Sequence, residues 1–237
     1  MEEKLTGIVF SRVNYGENDY ILNVFTLEKG TISARIKGVK KAGAKLKFAS
    51  EPFCFAEFIF SATQNKRTVI GASLIDSFFP LREDLTKYYC GATILEFIKR
   101  FAKEEMVSKE VFLLAINSLK KLAYEKVDAK SVTAYFLINA LRLAGYGLTI
   151  SDSCATCSSP ILHKPYFDYR QGAFFCQNCA GENYREINPS TLIAINKISQ
   201  ELEVEEKHST SVLRLLDYYL TSKTEEKLNS LKELLRF

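Results

Sequence analysis

Four cysteines constrain this chain more than any other feature: Cys154, Cys157, Cys176 and Cys179, spaced Cys-x2-Cys-x18-Cys-x2-Cys. A two-residue gap closes a tight turn that aims both sulfurs at one point, and the longer separation suits a hairpin that returns the second pair to the first. Four thiolates complete a tetrahedron and leave no open position for water or substrate, so the site is expected to be structural. Zinc, one per chain, is the metal this donor set favours. A disulfide or metal-free variant and an iron–sulfur centre are the alternatives. His163 lies between the pairs, but four correctly spaced cysteines leave it no vacancy to fill. Cys54, in an aromatic stretch, and Cys90, on an apolar helical face, read as small buried residues.

A zinc-braced insertion needs a scaffold, and 237 residues allow one large domain or two modest ones. Residues 1–79 carry five short stretches of strand character, at 6–14, 20–26, 31–37, 53–60 and 68–75, with a polar turn over 61–67. Five antiparallel strands in so short a span predict a small barrel of the oligonucleotide-binding (OB) type. After Pro80 the apolar period becomes helical. Helices are expected over 85–101 and 111–122, then from an N-cap at Asp128 to a glycine stop at Gly145. The four-cysteine knuckle occupies about 151–183. Asn188-Pro189 then opens a helix running to Leu202, and two more follow, over 211–220 and 224–235, the last with a capping-box spacing from Ser222 to Glu225. The fold class is therefore α+β: a five-stranded OB-type barrel, 1–79, for nucleic acid, then a helical domain, 80–237, with an inserted zinc knuckle.

No run of 18 uncharged apolar residues is present, and the first ten residues do not read as a signal peptide. The expected compartment is the cytoplasm, where reduced thiols hold metal more often than they pair. Catalysis has little support. Two histidines lack obvious partners, and the stretch 38–45, GVKKAGAK, looks only superficially like a phosphate loop, because Leu46 stands where a metal-binding hydroxyl belongs. The net charge of +4 decides little, but its distribution does more: 29–47 holds seven basic residues and no acid. On the third strand and its exit loop, Arg35, Lys37, Lys40, Lys41, Lys45 and Lys47 form a candidate phosphate-contacting surface, with Tyr15 and Tyr20 as candidate stacking rings. A solvated loop and ordinary barrel packing are the bland alternatives.

The parts in order resemble the RecO family of bacterial recombination and DNA-repair mediators. The opening Gly7-Ile8-Val9, then Tyr15-Gly16-Glu17 and Asp19, is similar to that family's first strand and turn. Phe25-Thr26 with Gly30, Lys37-Gly38 and Pro52-Phe53 continue the likeness, as do YFLINALRLAGY over 135–146, Cys154-Ala155-Thr156-Cys157 and the final KLNS over 227–230. The resemblance implies a protein without turnover, associated with the nucleoid, that binds single- and double-stranded DNA and anneals complementary strands. It also implies binding to RecR and to the acidic C-terminal tail of single-stranded-DNA-binding protein, and help in loading RecA in the RecF pathway. Where many relatives carry an arginine ahead of the Gly-Tyr stop, this chain has Thr133 and Ala134, which leaves Lys130 and Arg142 as candidates to grip the tail. Two other classes stay open: an RNA-binding accessory built from barrel and knuckle, and an enzyme that uses the zinc domain as a clamp.

Overall fold

The computed structural model describes residues 1–63, 66–102 and 106–237. Gln64 and Asn65, in the expected polar turn, lie outside the described residues. Five strands form a closed barrel: β1 (Glu2–Tyr15), β2 (Asp19–Thr26), β3 (Gly30–Ile36), β4 (Phe55–Thr63) and β5 (Lys66–Asp76), in the order β1-β2-β3-β5-β4. Closure depends on the length of β1. Its first half pairs with β4 (Glu2↔Ser61 to Ile8↔Phe55), and from Gly7 onward it pairs with β2, across a bulge between Val9 and Ser11. The bulge adds the bend that one strand needs to serve two neighbours. β3 meets β5 in parallel through only two register pairs, Arg35↔Thr68 and Ile36↔Val69. Alternating inward residues (Leu5, Val9, Leu22, Val24, Ile32, Ile36, Phe58, Phe60) fill the interior. The fourth strand starts two residues later than its aromatic run suggests, because Phe53 is left-handed (φ 69°). Cys54 precedes the strand, and burial pushes its thiol up to about 12.

The chain divides into two compact units. The first takes in residues 1–83 and 95–119, the second 84–94 and 120–237. Helices α1 (Leu85–Phe101) and α2 (Lys109–Tyr124) thus supply residues to both. In the first unit, the Phe112 ring lies 5.5 Å from Phe25 and 6.1 Å from Phe55. Beside it, Gly30 sits at φ 69°, where an added Cβ would stand 2.2 Å from the Met106 carbonyl oxygen. Gly30→Ala is therefore expected to cost roughly 2–3 kcal/mol, from left-handed strain and the displaced backbone together. A urea denaturation midpoint equal to wild type would refute this.

In the second unit α3 (Ala129–Leu143), α4 (Pro189–Ser199) and α5 (Glu206–Thr224) pack together, and α6 (Asn229–Leu234) closes against α5. The caps are those the sequence predicts. Asp128 accepts hydrogen bonds from the backbone N–H groups of Lys130 and Ser131, and Asn188 accepts from Ser190 N–H ahead of Pro189 at the first helical turn. At the end of α3, Tyr146 N–H donates to Leu141 C=O and Gly145 N–H to Arg142 C=O, with Gly145 at φ 85°, a complete Schellman stop. The last helices differ from expectation. α5 starts five residues earlier than 211 and ends at Thr224, so Ser222 lies in its last turn, Glu225 is its C-cap and no capping box forms. The left-handed residue there is Glu225 (φ 61°), and the closing helix spans only Asn229–Leu234. Likewise α4 stops at Ser199 and leaves Leu202 outside it. Between α3 and α4, the hairpin β6 (Tyr166–Asp168) and β7 (Ala173–Phe175), with the short β8 (Arg185–Glu186), makes a three-stranded sheet. Among the described residues no helix is long and apolar enough to cross a membrane.

Candidate metal centre and nucleic-acid interface

Each cysteine pair sits on its own turn. In the first, Ser158 N–H donates to Cys154 C=O and Cys154 N–H to Ser159 C=O, with Ser158 left-handed (φ 60°). In the second, Cys179 N–H donates to Cys176 C=O. Ala155 N–H bonds Phe174 C=O on β7, and this bond brings the first turn alongside the strand that delivers Cys176. All four Sγ atoms lie within 4.8 Å of one another, and Cys157 and Cys176 are 3.8 Å apart. A tetrahedron with metal–sulfur bonds of about 2.3 Å has an edge of about 3.8 Å, so the site is of the right size for one ion. The sulfurs also disagree about their protons. Burial raises the Cys154 thiol, but hydrogen bonds from the backbone of Cys157, Cys176 and Thr156 outweigh it and bring it to about 6. Hydrogen bonding with Cys176 and Cys157 pushes Cys179 up to about 12. Thiols this close cannot all ionise against one another, whereas a divalent cation removes the conflict. His163 is exposed and outside the cluster. Cys90 is fully buried in α1, its thiol pushed up to about 12 by desolvation.

The apolar residues that brace the site are few: Ala173 and Phe175, with Ile161, Tyr166 and Tyr184 partly buried around them. The hairpin is anchored through Tyr219 of α5, which is fully buried, with its ring 6.0 Å from Phe167 and its hydroxyl donating to Tyr146 C=O at 3.0 Å. Gly172 (φ 69°) lets the β6–β7 turn lie on that ring, where a Cβ would come within 2.8 Å.

On the barrel, the basic residues expected from sequence fall into two groups. Lys37, Lys41, Lys45 and Lys47 are exposed, and Lys40 is half-buried with its ammonium 4.7 Å from the centre of the Tyr20 ring. Arg35 is less free. Its guanidinium lies 4.8 Å over Tyr15, and its Nε donates to Asp19 Oδ2 at 2.7 Å. Asp19 also accepts from Gly38 N–H at 2.7 Å, and these two bonds hold its carboxyl below the usual range, the backbone bond counting most. The stretch 29–47 contains no acid in sequence, but β2 brings one to it in space. Tyr15, Arg35 and Lys37 line a groove of about 400 Å³ with Ser61, Thr63, Lys66, Arg67 and Thr68. Lys66 and Arg67 lie 30 residues and more beyond Arg35, and only the parallel β3–β5 pairing joins them to it. Arg12, 4.8 Å from Tyr20 and paired with Glu51, is a further neighbour from outside the basic stretch 29–47.

Against this geometry, the comparison with known proteins is direct. Residues 1–78 match the family model described as Recombination protein O N terminal, and residues 82–232 match Recombination protein O C terminal. The chain belongs to the RecO family. Among RecO relatives, the DNA repair protein RecO of Acetivibrio thermocellus is 30% identical over 74% of this chain and 70% of its own length. That of Caldicellulosiruptor bescii is 29% identical over 89% of this chain and 90% of its own. That of Clostridium novyi is 24% identical over 97% and 92%.

The two partner candidates that the RecO resemblance placed on α3 fare differently. Lys130 is buried, and its ammonium pairs with Glu206 at 3.0 Å, so it presents no open charge. Arg142 is exposed, and among the described residues its side chain bonds only Asn139, at 3.4 Å. A cleft of about 300 Å³ near the N-terminal end of α3 has an apolar wall of Val127, Val132, Ile198, Leu202 and Val204. Its rim carries both signs, and Lys121 there is paired with Glu201.

Proposed function

We propose that this RecO-family protein is a DNA-repair and recombination mediator without catalytic turnover. It binds single- and double-stranded DNA, anneals complementary strands and helps load RecA in the RecF pathway. The barrel, 1–79, is the DNA-binding part. The helical domain, 80–237, meets protein partners: RecR, and the acidic tail of single-stranded-DNA-binding protein, for which Arg142 is the exposed cation. The observation that carries this reading is the basic barrel surface: a groove where Tyr15 and Arg35 sit with Lys37, Lys66 and Arg67, and outside that groove the ring of Tyr20 with Lys40 and Arg12 over it. Cations neutralise phosphates and rings offer faces to bases, and an annealing protein needs both but no acid–base pair. The four-cysteine site is read as structural zinc, which when bound would join two turns that share little apolar surface.

The basic loop that follows β3 is tested by salt. Replacing Lys40 and Lys41 together by alanine removes up to two phosphate contacts, so the log–log dependence of DNA affinity on salt should shrink by roughly 1–2 units. Folding should barely change, and the loss should be alike for different sequences, because phosphate contacts position a strand without reading bases. Annealing should slow in parallel. A folded double variant with wild-type affinity and slope would place the binding face elsewhere. Preference for RNA in a competition at fixed salt would favour the RNA-binding alternative.

A further inference from the structure

The second compact unit carries a charged and aromatic surface that the barrel reading does not use. Where the knuckle hairpin lies on α5, the Arg185 guanidinium stands 5.3 Å over the ring of Tyr218, which is 53% exposed. Tyr169 lies beside it, ring centres 6.0 Å apart. Arg214 is one turn earlier on the same exposed face of α5, and Arg170 sits at the tip of the hairpin. Lys223 fixes that tip to the helix by donating to Arg170 C=O at 2.7 Å.

Two properties separate this cluster from a solvated charged face. Among the described residues, Arg170, Arg185 and Arg214 enter no ion pair, in contrast to Arg35 and Lys130. The acids nearest in sequence are turned to other work. Asp168 is buried and accepts from Arg170 N–H, and Glu186 faces Lys164 and the Tyr166 hydroxyl. Asp217 directs Oδ1 out of reach of solvent. Positive charge is thus left unbalanced beside an exposed ring. The ring is also held in place, because neighbouring Tyr219 is the buried anchor on which the hairpin rests.

We propose that this junction is a second binding surface for single-stranded nucleic acid, built wholly from the knuckle and α5. Unpaired arginines meet the phosphates, and the exposed face of Tyr218 stacks a base. Every base offers a π-face, so recognition is tolerant of sequence, and a duplex, whose bases are already stacked, gains nothing from the ring. The observations are independent of the barrel groove. The consequence for annealing, that one chain holds two strands at once, rests on the function proposed above.

The test uses the full zinc-loaded chain and a fluorescent oligothymidylate of about 10 nucleotides, short enough for one site. Wild type should take two oligonucleotides per chain. Tyr218→Ala, and separately Arg185→Ala with Arg214→Ala, should leave one, still sensitive to loss of Lys40 and Lys41, while Tyr218→Phe should keep two. An abasic oligonucleotide of equal charge should bind the second site of wild type and of Tyr218→Phe at least about 5-fold more weakly than the oligothymidylate does. Circular dichroism and zinc content establish that each variant is folded. The proposal is overturned if folded patch variants keep both sites, if wild type takes one strand that only the Lys40/Lys41 variant loses, or if heparin binds the patch as well as the oligonucleotide does and ignores Tyr218. A single site lost in the patch variants and kept in the Lys40/Lys41 variant would support the patch and remove the barrel reading instead.

Discussion

Purified, reduced protein is expected to contain close to one zinc per chain, and Cys154→Ser is expected to release it and unfold the knuckle. The magnitude follows from what little else holds that segment. The cluster around the sulfurs has two buried apolar side chains, Ala173 and Phe175, because Phe167 of the same hairpin packs on Phe174 and towards Tyr219. The sheet beneath has strands of two or three residues. Structural zinc supplies about 10–16 kcal/mol in isolated finger peptides, far more than two side chains can. Hydrogen exchange should show lost protection over 151–186 in the variant or after strong chelation, while the barrel strands β1 to β5 keep theirs. Freshly prepared protein without sulfur-bound zinc, or a variant whose exchange pattern is unchanged, would sink the expectation.

Tyr219→Ala should be the most damaging single substitution outside the cysteines. The ring is fully buried, and its removal opens a cavity under the hairpin, between Phe167 and Gly172. Large aromatic truncations in a core cost about 3–5 kcal/mol, which for a chain of this length lowers the melting midpoint by roughly 6–20 °C. Tyr219→Phe keeps the ring and loses only the hydroxyl that serves the Tyr146 and Gly147 carbonyls, so it should cost about 1 kcal/mol. Thermal melts of the two variants separate packing from hydrogen bonding. Equal destabilisation would mean that the ring does not anchor the hairpin. The alanine variant should also lose zinc sooner to a chelator, since the strand that delivers Cys176 would no longer be held down.

Much of this architecture is legible in the sequence because local chemistry and tertiary structure agree. Asp128, Asn188-Pro189 and Gly145 mark helix ends by their own hydrogen bonds and backbone preferences, and the cysteine spacing carries its geometry with it. The failures share one cause, a neighbour brought by the fold. Ser222 and Glu225 have capping-box spacing, but the buried face of α5 continues through Tyr219 and Leu220 and carries the helix to Thr224, so the box falls on a helix end. Lys130 is a surface residue by type, yet it lies buried beneath Glu206. Arg35 belongs to a stretch without acids until β2 delivers Asp19. The groove partners Lys66 and Arg67 depend on a parallel pairing of two residues, too short to leave a pattern. Charge counted along a chain is a poor guide to charge across a surface, because strand pairing decides which ions meet.

The inclusion of residues 95–119 in the same compact unit as the barrel has a consequence for biosynthesis. The two family models meet between residues 78 and 82, which looks like a place to cut. A fragment ended there would carry every barrel strand but leave Phe25 and Phe55 without Phe112. The same gap arises on the ribosome. At translation rates of about 5–20 residues per second, some 40 further residues take roughly 2–8 s to be added after the last strand. During that interval the nascent barrel presents an uncovered aromatic pair, a natural target for chaperone capture and the reason a truncated barrel would be prone to aggregate.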